Sequence, residues 1–191
     1  MNRRIFLAVL TAATLLPYLA GAEPLTPAQL TALKNDIAAD GTLGQLAHTP
    51  DNAFAIAVAY NANASPDFWV WRSRVPESEV YSTTTEDATT WSWSAYIARS
   101  QGERDGWTRM FSVGGAIDAS KANVRQGIAD IFSGNTNSAP AQRTHLLTLA
   151  RRRATRAEKL FAAGTGTTAS PATMAWEGSL NYQDVLNAWN S

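Results

Sequence analysis

Apolar residues return at helical spacing along most of this chain, and clusters of Gly, Pro and Asn cut the pattern into segments. Thr26-Pro27-Ala28-Gln29 opens the first: a threonine cap, a proline at the first helical position and a glutamine placed to close a capping box. Leu30, Leu33 and Ile37 then share a face until Asp40-Gly41 ends the helix. Asp51 caps a second helix, with Phe54, Val58 and the alanines as its apolar side, and residues 61–66 break it. A longer helix is predicted from 91 to about 111, packing through Trp91, Ala95, Ala98 and Trp107, and weakened at Gly102 and Gly106. Asp118 or Ser120 caps the next, where Val124, Ile128, Ile131 and Phe132 form an amphipathic stripe that Gly134 stops. The spacing predicts a helix over 143–162 that buries Leu146, Ala150, Ala157, Leu160 and Phe161. A short helix over 181–189 closes the chain, with Val185, Leu186 and Trp189 on one side.

The segment Phe68-Trp69-Val70-Trp71 has the local look of a strand. Arg72, Arg74 and Pro76 follow it, however, and no run of comparable strength offers a partner, so it is read as a short aromatic helix or anchor. Residues 82–90, 113–116 and 135–141 read as loops or turns, and 164–173 as a flexible Gly/Thr/Ala/Ser stretch. The expected fold is mainly α: a helical domain of about five to seven helices over 23–163, with a flexible C-terminal arm and helix over 164–191. Neither βαβ alternation nor an internal repeat is visible.

Residues 1–22 follow the grammar of a secretory signal. Arg3 and Arg4 supply the positive start, 5–16 is uncharged and apolar, and Ala20-Gly21-Ala22 suits a signal peptidase. The Arg3-Arg4 pair hints at twin-arginine export, and the apolar run is short for a membrane anchor. The segment is therefore a signal peptide or an N-terminal extension.

Charge and chemistry narrow the function classes. The chain has 191 residues, with 16 basic and 16 acidic side chains. Without residues 1–22 it has 14 basic against 16 acidic, which is no polyanion-binding balance. The absence of cysteine excludes disulfides and thiolate metal sites. His48 and His145 lack the spacing of a metal pair and read as solvated or capping side chains. No serine lies in a G-x-S-x-G elbow, and Gly164-Thr165-Gly166 lacks the ending of a phosphate loop. The reading is a non-enzymatic protein with no cofactor, no metal and no small-molecule substrate.

Two features point to partners. Seven tryptophans are a large share for this length, divided between core and interface; Phe68, Trp69, Trp71, Trp91, Trp93, Trp176 and Trp189 are the candidate aromatic anchors. Five cations fall within nine residues: Arg151, Arg152, Arg153, Arg156 and Lys159. On a helix Arg152, Arg156 and Lys159 would share one face, a ridge for phosphates or an acidic subunit.

Several blocks, taken together and in order, resemble a family of small morphogenesis proteins of tailed bacteriophages and prophages. They are Phe68-Trp69-Val70-Trp71-Arg72, Ser100-Gln101-Gly102-Glu103-Arg104, Ser120-Lys121-Ala122-Asn123-Val124-Arg125, Ala154-Thr155-Arg156-Ala157-Glu158-Lys159-Leu160-Phe161, the stretch 164–174, and Tyr182-Gln183-Asp184-Val185. The likeness spans about 25–189, and relatives begin close to Leu25-Thr26-Pro27. It implies a structural virion protein resembling a head-to-tail adaptor, a homo-oligomeric ring between portal and tail proteins, with non-specific contact to channel DNA as a further option. The location implied is the virion, assembled in the host cytoplasm. Alternatives are a capsid decoration or minor tail protein, or an exported periplasmic binding protein that uses residues 1–22.

Overall fold

Thr26 caps the first helix as its sequence predicts: its hydroxyl accepts from the Gln29 amide, and Gln29 returns the bond. In this computed structural model, which describes residues 23–112, 114–135 and 138–191, that helix is α1 (Pro27–Ala39). The expectations for residues 1–22 fall outside the described residues. The remaining helices are α2 (Pro50–Asn61), α3 (Glu77–Ser82), α4 (Trp93–Ile97), α5 (Gln101–Met110), α6 (Ala122–Ile131), α7 (Ala139–Leu149), α8 (Arg156–Leu160) and α9 (Tyr182–Trp189). The fold is mainly α. Nine α-helices among the described residues exceed the expected five to seven, because two long predicted helices are each divided and α3 forms where no helix was expected.

The first division follows Ile97. Ser100 caps α5, and Glu103 closes a capping box on it, so a new helix begins where a continuous one was expected. The second falls inside 143–162. Helix α7 ends at Leu149, Arg151–Arg153 extends as a strand, and α8 starts behind Thr155. Thr155 and Glu158 form another capping box, which requires extended backbone at Thr155.

That extended segment is the missing partner of Phe68-Trp69-Val70-Trp71. Strand β1 (Trp69–Trp71) pairs antiparallel with β4 (Arg151–Arg153), Trp69 opposite Arg153 and Trp71 opposite Arg151. On its other edge β1 exchanges backbone bonds with Ala172, and Trp69 N–H donates to the Gly166 carbonyl. The aromatic run is thus a central strand rather than a helix. Two further antiparallel pairs, β2 (Val75–Pro76) with β3 (Ala116–Ile117) and β5 (Ala162–Ala163) with β6 (Thr173–Met174), tie loops together.

Residues 164–173, expected to be a flexible arm, are held from both ends by the β5–β6 pair. Inside the loop Thr165 donates to the Ser170 carbonyl, and Arg151 donates to that of Thr168. Gly166 is required there. Its φ is +66°, and a Cβ would stand 2.1 Å from the Phe68 ring.

Apolar burial divides into three clusters. Leu33, Ile37, Ile56, Tyr60, Trp176 and Val185 join α1, α2, α8 and α9. Trp91, Trp107, Phe111, Ile128, Phe132 and Leu146 form the second, among α3 to α7. Val70, Ala154 and Ala172 seal the strand region. The C-terminal helix belongs to the first cluster, where Val185 and Ala188 are fully buried, and it is no separate arm.

Candidate functional site

Strand alternation decides what the arginines do. Arg151 and Arg153 point to one face and Arg152 to the other. Arg151 and Arg153 both lie over the Trp69 ring, at 5.3 and 5.7 Å from its centroid. Arg151 pairs with Asp87 at 3.1 Å and Arg153 with Asp67 at 3.1 Å. Arg152 grips Glu158 as a fork, Nη1 to Oε2 and Nη2 to Oε1, both 2.7 Å, and reaches Glu177 at 2.9 Å. Glu158 is 3 % exposed. Burial alone would raise its pKa; the Arg152 bonds and charge, with the Thr155 amide, outweigh that and hold the carboxyl below its ordinary range.

The helical ridge of Arg152, Arg156 and Lys159 is therefore corrected. Arg152 is on a strand; only Arg156 and Lys159 share a helix. Arg156 donates to Asp40 at 2.7 Å and to Asp36 at 2.9 Å, and stacks 4.2 Å over Tyr60. Tyr60 in turn donates to Asp36, and burial followed by that bond pushes the phenol pKa up. Lys159 lies 5.7 Å over the Phe68 ring. The four arginines are tied to acids of their own chain because segments far apart in sequence, such as 36–40, 86–87 and 177, fold back onto them.

The aromatic candidates separate just as sharply. Trp91 and Trp176 are core residues: Trp91 stacks on Trp107 at 5.4 Å, and Trp176 sits edge-on to Phe161 and donates to the Glu23 carbonyl. Phe68, Trp69 and Trp71 are partly buried at the strand, with Arg125 stacked 4.5 Å over Trp71. Trp189 stacks on His48 at 4.2 Å. His145, expected to be solvated or capping, is fully buried, its ring nitrogens facing the Val80 carbonyl and the Thr89 hydroxyl. Trp93 alone among the candidates is more than half exposed, at 55 %.

The surface yields a feature that sequence periodicity inverted. Phe54 and Val58, expected on the buried side of the second helix, are 63 % and 55 % exposed; Ala53, Ile56, Ala57 and Tyr60 face inward instead. Helix α2 is apolar nearly all round, so its pattern could not choose a face. Its cap is also Thr49 rather than Asp51, with Pro50 at the first position. On α4, one turn apart, Trp93 and Ile97 make a second exposed apolar pair, Ile97 at 65 %. Beside α2 runs a groove of about 660 Å³ lined by Asp36, Ala59, Asn63, Ser65, Arg156 and Lys159.

Among the described residues no group of three or more His, Asp or Glu is placed to hold a metal, and no helix is long and apolar enough to cross a membrane. What the surface offers is contact: two exposed apolar helix faces on different core clusters, and a basic segment whose four arginines, Arg151, Arg152, Arg153 and Arg156, are paired with acids of the chain. Comparison with known proteins finds no matching family model, no matching curated protein and no matching solved structure.

Proposed function

We propose that this chain is a structural virion protein of a tailed bacteriophage, a head-to-tail adaptor subunit that forms a homo-oligomeric ring between portal and tail proteins. The observation that carries the reading is the pair of exposed apolar faces, Phe54/Val58 on α2 and Trp93/Ile97 on α4. A closed ring is built from heterologous contacts, in which each subunit presents two different patches, one to each neighbour. Exposed apolar side chains grouped by helical spacing are what such contacts cover.

The resemblance to phage morphogenesis proteins adds the setting. Three of the blocks that carry it, 68–72, 154–161 and 164–174, meet in the strand unit around Val70, Ala154 and Ala172. Portal and tail contacts, and any contact with channel DNA, would draw on Arg153 and Lys159. Arg153 meets Asp67 in an ion pair that is half exposed at both ends, and Lys159 lines the groove beside α2.

Inactivating the gene tests this role. The expected result is DNA-filled heads and finished tails that accumulate unjoined, with joining restored when the chain is supplied in trans. Normal joined particles in its absence contradict the proposal.

A further inference from the structure

The two apolar faces differ in their charged surroundings, and the difference specifies how copies of this chain meet. Helix α2 carries Asp51 as its only charged residue, one turn before Phe54 and in the first turn, where the helix dipole favours an acid. Helix α4 has no charge of its own but is flanked by two guanidiniums. Arg104 donates to the Ile97 carbonyl at 3.0 Å; Arg99 donates through Nε to the Ala95 carbonyl at 3.2 Å and through Nη1 to the Ser133 carbonyl at 3.2 Å. The nearby acids are engaged: on α5 Glu103 closes the cap of Ser100 and Asp105 accepts from Gln101, and on α3 Glu77 accepts from the Tyr81 hydroxyl. Among the described residues, none of the salt bridges uses Asp51, Arg99 or Arg104.

We propose that the α2 face of one subunit docks on the α4 face of the next copy, Phe54 and Val58 against Trp93 and Ile97, with Asp51 meeting Arg104 or Arg99 at the rim. This rests on the ring reading above and names its joint. The apolar pairs supply area that is already exposed. Trp93 leans on Tyr81 and Trp91, at 5.2 and 5.5 Å between ring centroids, so its side chain is braced before contact, as suits an interface anchor. The acid on one face and the cations on the other favour α2 against α4. An α2 face meeting its own copy would offer Asp51 no cation of that helix, and an α4 face meeting its own copy would offer its arginines no acid of that helix.

The joint can be trapped, because the chain has no cysteine of its own. Ala55 and Ser94 are exposed positions beside the two apolar pairs. Full-length chain carrying Ala55→Cys and Ser94→Cys is incorporated into particles, treated with a short bismaleimide and run on a denaturing gel. The expected result is a ladder of dimers, trimers and larger multimers from the double variant, and monomer from each single variant. Adding Phe54→Glu removes the ladder while circular dichroism of the free chain stays unchanged. Asp51→Arg weakens the ladder, and Arg104→Asp added to it restores the yield. A dimer from Ala55→Cys alone would overturn the inference, since the α2 face would then meet itself. Particles that hold the chain at ring stoichiometry but give no ladder would place the joint elsewhere and leave the adaptor reading standing. Particles without the chain would remove the reading as well.

Discussion

Replacing Arg152 with alanine separates the structural arginines from the surface ones. The change leaves Glu158, 3 % exposed, without the fork that neutralises it. Breaking a buried pair from one side costs about 3–5 kcal/mol. Arg152 is itself 31 % exposed and Glu158 keeps the Thr155 amide, so the lower end, about 3 kcal/mol, is expected. The neighbouring Arg153→Ala removes a pair that is 51 % exposed at both ends and should cost less than about 1 kcal/mol. In a chain of this size the corresponding losses in melting temperature are about 6–12 °C and at most about 4 °C. Urea unfolding of both variants and the wild type reads the difference. The sign with pH is also set. Glu158 titrates below its ordinary range in the folded chain, so the stability the pair contributes is present above that range and is lost as pH falls through the depressed value. The gap between wild type and Arg152→Ala therefore narrows in acid, and Glu158→Gln added to Arg152→Ala recovers part of the loss at neutral pH. Equal, small costs for Arg152→Ala and Arg153→Ala would refute the reasoning and return the basic segment to a solvated surface.

Gly166→Ala should destabilise by about 2 kcal/mol or more, combining a left-handed backbone with the overlap against Phe68; Gly41→Ala, where a Cβ meets nothing within 4 Å, is the control in the same urea titration. The Asp40 carboxyl is held down at about 2 by the Leu43 amide, then by Arg156 and the Thr42 amide. The stability this gives exists above its ordinary value of 3.8 and is lost as pH falls toward 2, so Asp40→Asn should flatten the stability–pH curve over that window. Superimposable curves would count against it. Trp107→Ala, at a residue 1 % exposed, should cost about 3–5 kcal/mol in thermal or chemical unfolding. Ile97→Ala, at 65 % exposure, should leave the folded monomer within about 0.5 kcal/mol of the wild type.

The elements legible in the sequence are those whose signals are local. The Thr26–Gln29 box, the Val124–Phe132 stripe and the Asn181 cap each set a helix from neighbouring residues alone. The β1–β4 pair was illegible because its second strand is three arginines, a run with no strand pattern; Trp69, Glu158 and Glu177 hold it from elsewhere in the chain. Two local signals did mark the divided helices, Ser100 with Glu103 and Thr155 with Glu158, both of the capping-box form. The exposed face of α2 carried no signal at all, since apolar residues surround the helix and only tertiary packing against α8 and α9 selects its inner side. His145 was misplaced for a similar reason: a polar ring enters the core because Val80 and Thr89, more than fifty residues earlier, supply its partners.

The most direct measurement is the mass and neighbours of this chain in purified particles, by electron cryo-microscopy of virions carrying an affinity label at Ser191. The expected result is a closed ring of identical helical subunits seated between portal and tail. A processed monomer beginning at Glu23, recovered from the periplasm and absent from particles, would contradict it.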